Sequence, residues 1–238
     1  MTGEMGAANM WFPQLQALGW GRMFTRYVRS PYDGERVALD NGAYTCWTKG
    51  LPWDQDRWLR NVEGACAHAD AYELAVLPDR VADPSSLEFS LGWLEQVRDY
   101  PLPWYLAVQD GMTPAQIEPL LGRFAGLFLG GSDAFKATAE TWCRLAHRHG
   151  KRFHYARVGT PRKIQLAREC GADSADSSRP VRSRKLFREF ADFWRGYQPQ
   201  GELFDAGKRD ALAPRRRYGF ETRRVLPAAA PEQRSLDL

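Results

Sequence analysis

Val37-Ala38-Leu39-Asp40-Asn41-Gly42-Ala43-Tyr44 is a short apolar run that breaks abruptly into polar residues, and the same grammar returns along the chain. It recurs in Val76-Leu77-Pro78-Asp79, in Val108-Gln109-Asp110-Gly111-Met112 and in Leu129-Gly130-Gly131-Ser132. It recurs once more in Gly171-Ala172-Asp173-Ser174-Ala175-Asp176-Ser177-Ser178-Arg179-Pro180-Val181-Arg182. Strand-like runs cover 36–39, 71–77, 104–108, 126–129, 153–157 and 172–175. Helix-like patterns at 53–69, 85–98, 114–123, 134–149, 161–170 and 183–197 follow them in turn. Asp83-Pro84-Ser85, Thr113-Pro114 and Thr160-Pro161 read as helix starts, and Gly150 and Gly171 as helix stops.

Six β-then-α units in series argue for a parallel sheet with helices outside it. An open doubly wound sheet and a closed (β/α)8 TIM-type barrel both fit that alternation. Polar strings after nearly every strand favour the barrel, because a barrel gathers all its C-terminal strand ends on one face. An open sheet concentrates its functional residues near one switch point. Two units are missing from the count. The first forty residues are expected to supply a strand around 23–28, and the eighth unit is expected to be degenerate or to come from the C-terminal segment.

A chain of 238 residues suffices for one such domain, with 44% hydrophobic and 26% charged residues. The domain is expected over 1–205, with a basic tail over 206–238. That tail holds eight Lys/Arg against four Asp/Glu, an excess equal to the net charge of +4 of the whole chain. It reads as a solvated segment or as a contact for nucleic-acid phosphates. Nine Trp are expected to be mostly core, with a minority able to stack on bases. No apolar run is long enough to span a membrane, so a cytoplasmic protein is expected. Cys46, Cys66, Cys143 and Cys170 form no close pair and read as free thiols. Cys143, His147 and His149 have a spacing that could hold a metal, but the amphipathic pattern around them favours ordinary packing.

Asp40 and Asp176 are the candidate catalytic pair, because glycosidic-bond chemistry needs one carboxylate to attack the sugar carbon and one to move protons. Tyr44 could lie flat on a planar ligand, Asp79 could accept N–H donors from a guanine edge, and the Gln109 amide can donate and accept. Gly130 and Gly131 would let the backbone approach a ligand, although a tight turn explains them equally well. Asp173 and Asp176 are three apart on a short strand, so one can face the barrel mouth while the other turns away. Arg179 and Arg182 could bind a phosphate and keep Asp176 ionised.

Taken together the strings resemble the tRNA-guanine transglycosylase superfamily, (β/α)8 barrels that exchange a guanine for a 7-deazaguanine base. The resemblance lies in Asp40-Asn41-Gly42-Ala43-Tyr44, Val108-Gln109-Asp110-Gly111-Met112, Gly130-Gly131, Val158-Gly159-Thr160-Pro161 and Gly171 through Arg182, in the same order. The tRNA enzymes carry a zinc site of three cysteines and a histidine after the nucleophile motif, and no cysteine follows Cys170 here. The shorter chain and the missing zinc site look like the 7-deazaguanine DNA transglycosylases (the DpdA group) of phages and bacterial DNA-modification clusters.

The resemblance implies Asp176 as nucleophile and Asp40 as general acid and base. It implies Tyr44 stacking on the base, Asp79 at the N1 and exocyclic-amine edge, and Gln109 with the Gly131 N–H at O6. It implies DNA, a free base such as 7-cyano-7-deazaguanine (preQ0) and possible modification partners as ligands, and no cofactor or metal. A tRNA-acting enzyme, a base-releasing hydrolase and a non-catalytic nucleic-acid-binding barrel are the rival readings.

Overall fold

The computed structural model describes Thr2–Gly3 and residues 8–196, and the basic tail lies outside them. The chain runs β1 (Thr2–Gly3), α1 (Ala8–Ala17), β2 (Arg22–Phe24), β3 (Val37–Leu39), α2 (Ala43–Thr48), α3 (Gln55–Cys66), β4 (Tyr72–Val76), α4 (Ser86–Val97) and β5 (Trp104–Val108). It continues through α5 (Pro114–Ile117), β6 (Gly126–Leu129), α6 (Asp133–Lys136), α7 (Ala139–Arg148), β7 (Arg152–Tyr155), α8 (Pro161–Glu169), β8 (Ser174–Ala175) and α9 (Arg184–Gly196). The eight strands form one sheet in sequence order, and each pairs parallel to the next.

The two faces of that sheet are covered differently, and this curls it. Phe24, Val37, Leu39, Trp104, Leu106, Leu127, Phe153 and Tyr155 belong to one large cluster with Trp58, Val62, Trp93, Val97, Trp142 and Leu145 of the helices. Met23, Ala38, Leu74, Val76, Tyr105 and Ala107 form a second cluster of strand residues, with Phe128 packed against it. These second-face residues are almost wholly buried although the cluster contains no helix residue. A flat sheet would leave them in water, at roughly 1.5–3 kcal/mol per large apolar side chain. Curling the sheet so that this face packs on itself removes that cost. The result is an α/β fold with a curled, all-parallel sheet, compatible with a partial TIM-type barrel.

Two local devices serve the curl. A register irregularity opposite Val37 and Ala38 pairs them with Tyr72 and Leu74, leaving Glu73 as an extra residue in β4. Tyr72 therefore faces the helices while Leu74 and Val76 face inward. Gly126 leaves room for the inward Tyr105, since a Cβ there would lie 2.4 Å from the Tyr105 ring. Among the described residues β1 pairs only with β2 and β8 only with β7, so the ladder stays open between them. On the outside Leu15 packs with Val181, Phe187 and Ala191, and Trp20 meets Phe187 and Trp194 edge-on, covering that seam.

The expected helix over 134–149 is two helices. Ser132 caps α6 through the Phe135 N–H, and the Thr138 hydroxyl then bonds the Phe135 carbonyl and interrupts the ladder. The interruption lets Lys136 turn into the protein, where its Nζ donates to the Ala156 carbonyl. No helix among the described residues is long and apolar enough to cross a membrane. Trp58, Trp93, Trp104 and Trp142 are core, whereas Trp47 is exposed beside Tyr44.

Candidate active site

The curl brings the ends of β3, β4, β5, β6, β7 and β8 to one rim. Asp40 follows β3, and its N–H is fixed by the Phe24 carbonyl at 2.8 Å. Its Oδ2 accepts from the Thr25 hydroxyl at 3.2 Å. Burial pushes its carboxyl up to about 7, helped by the negative charges of Asp176 and Asp79 and opposed by the Gly42 N–H and the Thr25 hydroxyl. That Asp176 repels Asp40 at all shows how far the sheet has curled, because the two residues end its third and eighth strands.

Asp176 has the opposite environment. Its Oδ1 accepts from the Arg157 N–H at 2.8 Å and from His154 Nε2 at 3.1 Å. Its backbone carbonyl accepts from the Val158 N–H at 2.8 Å. Burial alone would raise this carboxyl, but the hydrogen bond and the charge of His154, together with the Arg157 N–H, outweigh burial and hold it below the usual carboxylate range. His154 is fully buried, stacked on Phe128 with ring centroids 4.8 Å apart, and its Nδ1 lies 2.8 Å from Ser174 Oγ. Burial lowers the imidazole below its ordinary range, against the pull of Asp176. A neutral ring satisfies both contacts in one tautomer: Nε2–H donates to Asp176 and Nδ1 accepts from the Ser174 hydroxyl.

Asp79 is held by two amides. Asn41 Nδ2 donates to its Oδ1 at 2.7 Å, and Gln109 Nε2 lies 3.2 Å from its Oδ2. Burial pushes Asp79 up to about 6, with Asn41 and the Arg157 charge opposing. Asn41 also bonds the Leu77 carbonyl, stitching the end of β3 to the end of β4. The Gln109 amide is buried: its oxygen accepts from the Ala82 N–H, and its nitrogen also reaches the Arg80 carbonyl and Ser86 Oγ. Gln109 thus secures the Asp79 loop, and its amide nitrogen is already engaged.

Gly131 is left-handed at φ 74°, and a Cβ there would lie 2.6 Å from Asp110 Oδ2. Asp110 binds the Ser132 N–H and hydroxyl, and the Gly131 carbonyl accepts from Arg157 Nη2 at 2.6 Å. Gly130 continues the ladder, its N–H donating to the Val108 carbonyl. The pair therefore makes the tight turn that leads from β6 to the rim.

Arg157 is the residue through which the rim is joined. It adopts a left-handed conformation at φ 58°, costly for a residue with a Cβ. That turn aims its N–H at Asp176 while its guanidinium lies over the Tyr44 ring, 3.8 Å from the centroid. Lys136 is anchored on the preceding carbonyl, and its burial, with the Arg157 charge, lowers its ammonium to about 7. Tyr44 is exposed at the mouth.

Asp173 turns away to the helix layer, where its Oδ2 accepts from the Phe153 N–H at 2.7 Å and pairs with His147 at 2.9 Å. His149 pairs instead with Glu118, whereas the His147 ring stays beside Cys143, its Nδ1 3.6 Å from Sγ. Among the described residues no group of three or more His, Cys, Asp or Glu is placed to hold a metal ion. Arg179 and Arg182 are exposed, and Arg182 bonds Ser178 Oγ at 3.0 Å. The groups that hold Asp176 down are thus His154 and the Arg157 backbone rather than this arginine flank.

His154, Lys136 and Arg157 complete this candidate site and lie outside the sequence motifs. His154 carried a signal, a titratable residue in the middle of the apolar run 153–157. Nothing in the sequence marked its partner on β8. No protein-family model matches the chain, and no curated protein matches it.

Proposed function

We propose that this protein exchanges a guanine in DNA for a 7-deazaguanine base of the preQ0 type. The observation that carries the reading is the split between two carboxyls at one rim, with Asp176 held ionised and Asp40 raised to about 7. Environments that push two acids apart assign them different roles. Asp176 is the nucleophile: its oxygen forms a bond to C1′ as the C1′–N9 bond breaks and guanine leaves with that electron pair. Asp40, with both protonation states available near neutrality, gives a proton to the departing base and takes one from the incoming base. The incoming N9 then displaces the aspartate from C1′, and two inversions restore the original configuration.

The planar base would stack on Tyr44, with Asp79 at its N1 and amine edge. The target nucleotide would be flipped from the stack, since C1′ is shielded in a duplex. The sheet, on this reading, is a (β/α)8 barrel with a degenerate unit. Its β2–β3 crossover carries no helix. DNA is favoured over tRNA by the lack of cysteines after Cys170.

The test is incubation of the purified protein with labelled preQ0 and either DNA or bulk tRNA, followed by digestion to nucleosides. Label in DNA, absent with Asp176→Ala, is the expected result. Label in tRNA alone would move the activity to the tRNA branch, and label in neither would overturn the exchange.

A further inference from the structure

We infer that His154 is a positioning residue that fixes which oxygen of Asp176 attacks and drives the second half of the exchange. The inference rests on the base-exchange reading given above. Among the described residues the two donors to the Asp176 carboxylate converge on one atom: the Arg157 N–H at 2.8 Å and His154 Nε2 at 3.1 Å both reach Oδ1. Oδ1 is thereby committed, and Oδ2 is the oxygen that bonds to C1′. After attack, Oδ2 is the ester oxygen and Oδ1 the ester carbonyl, still facing the same two donors.

Those donors do not treat the two states alike. A hydrogen bond to a carboxylate is roughly twice as strong as one to a neutral carbonyl. His154 and Arg157 therefore stabilise free Asp176 more than its sugar ester. They make the carboxylate a weaker attacker but a better leaving group. In the second step the incoming base N9 bonds to C1′, the C1′–Oδ2 bond breaks, and its electron pair returns to a carboxylate that the donors already hold. No oxidant, reductant or further reactant is needed.

His154 is built for this. Its ring is fully buried and stacked on Phe128 at an interplanar angle of 5°. The Asp176 carboxylate can only accept, which places the proton on Nε2, and Ser174 Oγ at 2.8 Å can then donate to Nδ1 of the neutral ring. The register that pairs His154 with Ser174 sets Asp176 two residues further on, within reach of the other ring nitrogen. The Arg157 donor is backbone, so the side chain that can be tested is His154.

The experiment is single-turnover base exchange on a labelled single-stranded DNA by the full chain, with the covalent protein–DNA species resolved on a denaturing gel. His154→Phe keeps the stacking on Phe128 and removes the donor. It should slow breakdown of the ester roughly 10- to 100-fold, the worth of one hydrogen bond to a charged group. The ester should accumulate, and the acid limb of its formation should move to higher pH. His154→Gln, which restores an N–H donor, should recover part of the breakdown rate. A fall in both half-reactions together, with no accumulation and an unmoved acid limb, would overturn the inference.

If His154→Phe does not fold, Ser174→Ala frees the ring to turn and should give the same direction at smaller size. An unchanged ester lifetime there would equally overturn it. A parallel carbon NMR titration of Asp176 without DNA separates the two readings. No ester in the wild type would sink the exchange reading. A carboxyl that titrates higher in His154→Phe would still support the positioning role, and an unchanged one would reject it.

Discussion

The ends of β3 and β8 carry the same functional group and treat it oppositely. Asp40 meets burial and two neighbouring carboxylates, with one hydroxyl and one backbone N–H in its favour. Asp176 meets burial too, but an imidazole N–H and a backbone N–H converge on one of its oxygens. The lesson is that burial alone does not set the role of a carboxyl. The number and aim of the donors decide whether burial keeps a proton on or a charge in place.

Removing the proposed nucleophile should have the largest effect. Asp176→Asn is expected to lower exchange by on the order of 10⁴-fold or more, with no covalent species on a denaturing gel. Residual exchange near wild-type level would break the assignment. Asp40→Asn should cost less, roughly 10²- to 10⁴-fold, and should still allow slow ester formation. Wild-type exchange should peak near pH 7, because Asp40 must be protonated in one step and ionised in the other. The alkaline fall should vanish in Asp40→Asn.

The same pair makes opposite stability predictions. The folded state raises Asp40 from 3.8 to about 7 and so binds its proton more tightly than the unfolded chain does. Wild-type stability is therefore lost as pH rises from 3.8 towards 7, and the cost is complete above that. Asp40→Asn should be more stable than wild type by about 2–4 kcal/mol at pH 8, with the gain gone below pH 4. Asp176, held low, contributes stability above 3.8 that is lost as pH falls through its folded value. Denaturant melts of both Asn variants at pH 4 and pH 8 check the two signs.

Arg157→Ala sharpens the comparison from the side of the substrate. It keeps the backbone N–H on Asp176 and removes the guanidinium from Tyr44. A loss of about 0.5–2 kcal/mol is expected for such a contact. It should appear in KM for the incoming base rather than in the ester-forming rate. The smallest effect belongs to Asp173→Asn. Its partly exposed ion pair with His147 is worth less than about 1 kcal/mol, and exchange should stay close to wild type. A collapse of activity in Asp173→Asn with full activity in Asp176→Asn would exchange their roles.

Much of the frame was legible in the chain. The runs at 104–108 and 126–129 are β5 and β6 residue for residue, and the other strands differ by a few terminal residues. Thr160-Pro161 opens α8 as expected, with the Thr160 side chain accepting from the Lys163 N–H. The pattern over 134–149 reads as one helix because its apolar spacing persists across Thr138, whose hydroxyl breaks the ladder locally. The extra residue in β4 was also hidden, since a bulge shows only against the register of a neighbouring strand.

The sequence by itself determined the βα alternation, the polar strand ends and the presence of Asp40, Asp79 and Asp176 at three of them. Those follow from local chemistry: apolar period, capping residues and turn formers act within a few positions. Only the tertiary structure decided that Asp176 rather than Asp173 faces the rim, that His154 and Arg157 hold it, and that Asp40 keeps its proton towards neutrality. Each of those depends on contacts between strands far apart in sequence, and on burial, which no local pattern encodes.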